Sequence, residues 1–119
     1  MSANPQQRSD DDRARLIGLN EAVFRQLNER LEQLARGTRA EVNRLDLICE
    51  CGDASCAARL RVDTEDYARA RSQPQQFLVH PGHIATDVER VVQKRRGFDL
   101  IEKLPGLAAE IAEKTDPRS

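Results

Sequence analysis

The chain has 119 residues, of which 33% are charged, 39% apolar and only 3% aromatic. Its 19 basic and 20 acidic residues nearly cancel, so bulk charge gives no argument for nucleic acid or an anionic membrane. No apolar run approaches the roughly 20 residues of a membrane span, and one domain with a thin core is expected, where a bound metal or a partner adds most.

Residues 1–8 are polar and read as a disordered tail, without the basic-then-apolar pattern of a signal peptide. Ser9 followed by Asp10, Asp11 and Asp12 reads as a helix start. The hydroxyl can cap, and three carboxylates sit on the positive end of the helix dipole. The predicted helix runs over 9–36, and Gly37 stops it. Leu16, Leu19, Val23, Leu27, Leu31 and Leu34 recur at spacings of three and four, and Phe24 widens the stripe. Two readings of this stripe compete. It can lie on a sheet, or its amino-terminal half can pair with a second copy as a short coiled coil, giving a homodimer. Gly18 and Asn20 count against the second, because neither favours a helix.

Residues 44–49 read as a strand that delivers a turn at Gly52 and Asp53. Residues 60–62 form its hairpin partner, with Leu60 and Val62 on the face opposite Arg59 and Arg61. Thr64 caps a short helix over 65–72, closed by Pro74. Residues 77–80 make a third strand, ended by Pro81 and Gly82. Residues 89–94 and 98–104 form a second hairpin around Arg95, Arg96 and Gly97, although residues 88–94 also fit a helical period. A last helix follows Pro105 and runs over 106–114, and residues 115–119 fray.

The chemistry lies in residues 49–56, which hold all three cysteines: Cys49, Cys51 and Cys56. In a reducing cytoplasm, clustered cysteines read as metal or redox chemistry before disulfides. An odd count asks for a fourth, non-cysteine ligand, and tetrahedral zinc takes three thiolates and one imidazole. His83, redirected by the Pro81–Gly82 turn, is the preferred fourth ligand. His80, in a strand, is the alternative. Glu50 and Asp53 are local carboxylate options, less suited to a thiolate-rich site. A [2Fe–2S] cluster, a vicinal thiol switch at Cys49 and Cys51, and buried free thiols are the rival readings. Arg90, Lys94, Arg95 and Arg96 could contact phosphate, but no aromatic platform accompanies them. No catalytic triad, phosphate loop or paired-carboxylate signature is present, so the chain does not read as an enzyme.

Cys-Glu-Cys-Gly-Asp-x-x-Cys over 49–56, Thr64, Glu65 and Tyr67, then 77–83 ending Pro-Gly-His, Glu-Arg-Val-Val over 89–92 and Thr-Asp-Pro-Arg over 115–118 resemble a group of small actinobacterial proteins without an assigned activity. Residues 21–25 and 28–30 share in the likeness. The resemblance implies His83 over His80 and a bacterial cytosolic setting.

The expectation is an α+β fold: a long N-terminal helix packed on a small antiparallel β-sheet of two hairpins, with a zinc-knuckle-like Cys3His site. One zinc-binding domain would span 9–114, between tails at 1–8 and 115–119. The expected role is a cytoplasmic structural-zinc protein, regulatory or adaptor in kind, that binds a protein partner. The alternatives are a nucleic-acid-binding zinc protein and an iron–sulfur or thiol redox sensor.

Overall fold

A computed structural model describes residues 5–37 and 43–118. The expected tail at residues 1–4 lies outside the described residues. The fold is α+β: helix α1 (Pro5–Arg36), strands β1 (Arg44–Ile48) and β2 (Arg59–Asp63), helix α2 (Thr64–Arg71), strands β3 (Gln76–Val79), β4 (Glu89–Arg95) and β5 (Phe98–Lys103), and helix α3 (Leu107–Lys114). The first hairpin, β1–β2, is a sheet of its own, and the second, β4–β5, gains β3 on its other side in the order β3-β5-β4. All pairings are antiparallel. Residues 89–95 are therefore strand rather than helix.

Most element ends fall within a residue or so of the sequence expectation, and three departures have a physical reason. Helix α1 begins at Pro5 rather than Ser9. Proline's fixed φ suits a first turn, where its missing N–H costs nothing. Gln6 and Gln7 then donate to Asp10 and Asp11 at 2.9 and 3.0 Å, one turn on. Thr64 is the first residue of α2 and not its cap; that position belongs to Asp63, without a side-chain bond. The chain end does not simply fray: Arg118 donates to Glu29 at 2.6 Å, fastening it to α1.

The two sheets meet where the chain leaves β1. Cys49 N–H still pairs with Ala58 of the first hairpin at 2.8 Å, and Glu50 N–H crosses to the Leu78 carbonyl of β3 at 2.8 Å. Both faces of β3 are consequently covered. Leu78 joins the cluster of Leu45, Leu47, Leu60, Val62, Tyr67 and Leu100. Phe77 and Val79 join Cys49, Cys51, Ile101 and Ala112. This is why β3 reads as an unbroken apolar run instead of an alternating one.

Helix α1 overturns the reading that its whole leucine stripe lies on a sheet: of the stripe only Leu31 packs against the core cluster, and Phe24 is half-buried. Leu16, Val23 and Leu34 retain 61%, 64% and 70% of their surface, and Leu19 and Leu27 are exposed too. The buried face carries Ile17, Gly18, Glu21, Arg25, Asn28, Glu29 and Glu32. Glu32 pairs with Arg36 of the same helix, and the other polar members of that face have partners in the body. Arg25 donates to the carbonyls of Pro74 and Ala112 at 2.5 and 2.7 Å and lies 4.5 Å over the Phe77 ring. Asn28 pairs with the backbone of Ile48 through both its amide atoms, at 2.8 and 2.9 Å, and so satisfies the free edge of β1. Tyr67 donates to Glu29 at 2.7 Å. Gly18 lets α3 approach, since a Cβ there would meet Ile111 at 3.3 Å.

Glu21 completes the set against Lys103, whose ammonium also meets Glu89. Two carboxylates and one ammonium in a dry site are neutral only when one carboxyl keeps its proton. Burial, ahead of the opposing attraction of Lys103, pushes Glu21 up to about 9. The unfolded chain releases that proton near its ordinary value of 4.5, so between these limits the folded state binds one proton more. Stability from this group is then complete at low pH and falls as pH rises toward 9. Glu21→Gln, which keeps the shape and cannot ionise, is expected to flatten that decline in urea midpoints measured from pH 5 to 9.

Candidate metal centre

The three cysteines are carried by the loop between β1 and β2, and His83 by the turn after β3. Cys49 is the direct continuation of β1. Glu50 alternates to the opposite side, and Cys51 returns to the side of Cys49. The chain then reverses at Asp53, whose carboxylate accepts from the Ser55 N–H at 2.9 Å and the Ser55 hydroxyl at 2.7 Å, while its carbonyl accepts from Cys56 N–H at 3.0 Å. This turn brings Cys56 back toward the other two thiols. Asp53 is thus a turn-former and not a ligand.

Gly52 acts through space rather than through an unusual backbone angle. A Cβ at Gly52 would lie 2.6 Å from Cγ2 of Ile17 on α1. The loop presses flat against the helix here, and Asn20 donates to the Gly52 carbonyl at 2.9 Å. Gly52→Ala is expected to cost about 1–3 kcal/mol as an overpacking change, partly recovered by Ile17→Ala, which removes the Cγ1 and Cγ2 atoms that the new Cβ would meet, read from denaturation midpoints of the two single variants and the double variant.

On the other strand, Pro81 and Gly82 turn the chain as the sequence suggests. Gly82 takes a positive φ of 85°, and its N–H donates to the buried carboxylate of Asp99 at 3.1 Å. His83 N–H closes the turn on the His80 carbonyl at 2.9 Å. The imidazole of His83 lies with Nδ1 3.6 Å from the Cys49 sulfur and 3.5 Å from the Cys56 sulfur. The donor atoms of Cys49, Cys51, Cys56 and His83 all lie within 4.8 Å of one another, a group able to hold a metal ion. His80 is not part of it. Its ring stacks obliquely 4.8 Å from that of His83, and its backbone N–H donates to the Cys49 sulfur at 3.2 Å.

Burial pushes the Cys49 and Cys51 thiols up, against backbone N–H donation from His80 and Asp53 respectively. Three thiols this close can all lose their protons only if a cation compensates the charge. The donor chemistry therefore fits a metal.

Glu50, read from the sequence as a spare ligand, faces away from the sulfurs and is fully buried. Its carboxylate accepts from Arg71 of α2 at 2.8 Å, from Leu78 N–H of β3 at 2.9 Å and from Asn28 of α1 at 2.7 Å. One residue between two of the candidate donors thus ties the loop to three elements. Sequence reasoning missed it because a glutamate beside cysteines looks like a ligand. The available signal was strand alternation, which sends position 50 opposite to positions 49 and 51.

Of the other candidate cations, Arg95 and Arg96 line one recess together with Arg44, Arg61, Asp63 and Asp66, where Arg44 lies 3.3 Å from Asp63 and Arg95 3.9 Å from Asp66. Arg90 is bound to Glu102 at 2.7 Å, and Lys94 is exposed at the same hairpin as Arg96. Arg61, Arg69 and Arg71 are paired with Asp46, Asp66 and Glu50. Carboxylates are interleaved throughout. No helix among the described residues is long and apolar enough to cross a membrane. No family model, curated protein or solved structure matches the chain.

Removing the Glu50 carboxylate strands the Arg71 guanidinium in a site where its side chain is 1% exposed. Glu50→Ala is expected to destabilise the fold by about 3–5 kcal/mol, the usual cost of breaking one side of a buried ion pair. Urea unfolding measures it, and metal retention should fall in the same variant because both flanking ligands lose their anchor.

Proposed function

We propose that this is a small bacterial cytoplasmic protein that holds one structural zinc ion through Cys49, Cys51, Cys56 and His83, and that it serves as a regulatory or adaptor module docking a protein partner on the outer face of α1. The observation that carries the metal reading is the pair of sulfur–nitrogen separations, 3.6 and 3.5 Å. Zinc–sulfur and zinc–nitrogen bonds of about 2.3 and 2.0 Å at a tetrahedral angle put those atoms about 3.5 Å apart. Four donors around one centre also argue against a [2Fe–2S] cluster, which needs two donor pairs held apart on separate irons.

Four protein ligands leave no position open for a water or substrate, which favours a structural role over a catalytic one. The cavity beside the centre, lined by Arg13, Ile17, Cys51 and His83, supports this. Arg13 is paired with Asp87 at 3.2 Å, and Asp53 is engaged with Ser55. The interleaved carboxylates weigh against nucleic acid as the partner. Three free cysteines in one donor group suit a reducing compartment. The adaptor role rests on the exposed leucine face of α1, since contiguous apolar surface of this kind marks an interaction site.

Elemental analysis of protein purified without added metal should give about one zinc per chain. His83→Ala should weaken zinc retention, in competition with a chromogenic chelator, by more than the roughly 10–100-fold that outer-shell changes cost. His80→Ala should retain wild-type zinc content, because its side chain supplies no donor atom to the group and only its backbone N–H reaches a donor sulfur. Iron in place of zinc, a folded wild type without metal, or full retention in His83→Ala would each sink the assignment.

A further inference from the structure

The exposed face of α1 has a pattern that selects its own occupant. Leu16, Val23, Leu27 and Leu34 fall within about 40° of one another around a helix of 3.6 residues per turn. They point opposite Arg25 and Glu32, which face the body. The stripe spans about 27 Å from Leu16 to Leu34 at 1.5 Å per residue. Asn20 and Arg30 interrupt it, and the order along the seam is Leu16, Asn20, Val23, Leu27, Arg30, Leu34. The steps are four, three, four, three and four, the alternation of a two-stranded coiled-coil seam. Each long apolar member retains between 45% and 70% of its surface.

We propose that the partner of this face is a second copy of the chain, bound antiparallel through α1. The inference rests on the docking reading above and narrows it to one occupant. The two interruptions decide the direction. In a parallel pair, each seam residue meets its own counterpart, so Arg30 faces Arg30 and two guanidiniums share one layer. In the antiparallel pair centred at position 25, Leu16 meets Leu34 of the second copy, Val23 meets Leu27, and Asn20 meets Arg30. Every apolar residue of the seam then meets an apolar one, and the two polar interruptions meet each other: the Asn20 amide nitrogen is engaged with the Gly52 carbonyl, and its oxygen can accept from the guanidinium. Sliding the antiparallel pair by one heptad toward the amino terminus sets Arg13 against Arg30 and Asn20 against Val23. Sliding it the other way sets Leu27 against Arg30. Charge and polarity thus fix both direction and register. The residues that α1 buries against the body, among them Gly18, Arg25 and Glu32, lie on the side of the helix away from the apolar stripe.

The molecule measures 58 Å along its longest axis against 26 and 24 Å across, so the helix outruns the body it packs on. A seam along it would bury the apolar side chains that the body leaves in water.

Size-exclusion chromatography with light scattering on the full zinc-loaded chain is expected to give twice the 13.4 kDa of one chain. Val23→Glu and Leu27→Lys, both at exposed positions, should each give the single-chain mass with unchanged circular dichroism and zinc content. Mixing these two variants should restore the double mass. In the antiparallel register the introduced carboxylate at position 23 faces the introduced amine at position 27, and the second Val23–Leu27 layer stays apolar. In a parallel pair no such match forms. A wild type that stays at single-chain mass at high micromolar concentration overturns the self-association. So does a dimer indifferent to both substitutions. A mixture that fails to associate overturns the antiparallel register. Zinc content, read on the same samples, tests the metal assignment separately from all three.

Discussion

The carboxylate of Glu50 is the point through which the structure is joined. It stands between two metal-donor cysteines in the chain and faces the other way in space. Its oxygens accept from α1, α2 and β3 at once, while its N–H carries the chain from one sheet to the other. A charged group in such a dry place is tolerable only because its lone pairs are filled and Arg71 offsets its charge. The donor group and the body are therefore built from consecutive residues. Cys49 and Cys51 are positioned on one side of the strand by the same backbone that Glu50 fixes from the other.

His83 approaches the thiols by an independent route. It is delivered by a glycine turn whose N–H is held by Asp99 on β5, and the sulfur of Cys49 accepts from the backbone of His80 on the way. A metal at this point would close the loop of one sheet onto the end of the other. In a chain with few aromatics and a core divided into two small clusters, that closure adds cohesion that apolar burial supplies only sparingly.

The second constraint is the inversion of α1. A helix with one apolar and one polar face ordinarily turns the apolar face inward. Here Arg25, Asn28 and Glu29 face inward, each with a stated partner, and Glu21 shares Lys103 with Glu89. Such a core is costly to desolvate, and it is specific: Arg25, Asn28 and Glu29 each meet named groups of the body, which favours one register of docking. The leucines released from the core are left to face outward, which is the physical basis for assigning them to an interface.

The types of element, the hairpins and the donor set were legible in the sequence because they depend on local rules. Alternation gives β1 and β2. The Pro81–Gly82 pair gives the turn, and three thiols within eight residues ask for a fourth ligand. The inward face of α1 was not legible, since periodicity shows that a helix has two faces without saying which one the body covers.

The sequence by itself determined the α+β class, the order of elements and the four residues that could share an ion, because backbone preference and ligand chemistry are properties of neighbours along the chain. Only the tertiary structure decided that Glu50 is an anchor and not a ligand, that Gly52 serves close packing, and that α1 faces inward with its charges. Those outcomes turn on which groups meet across 20 to 90 positions of chain, and a buried charge is stable or ruinous according to a partner that no local pattern names.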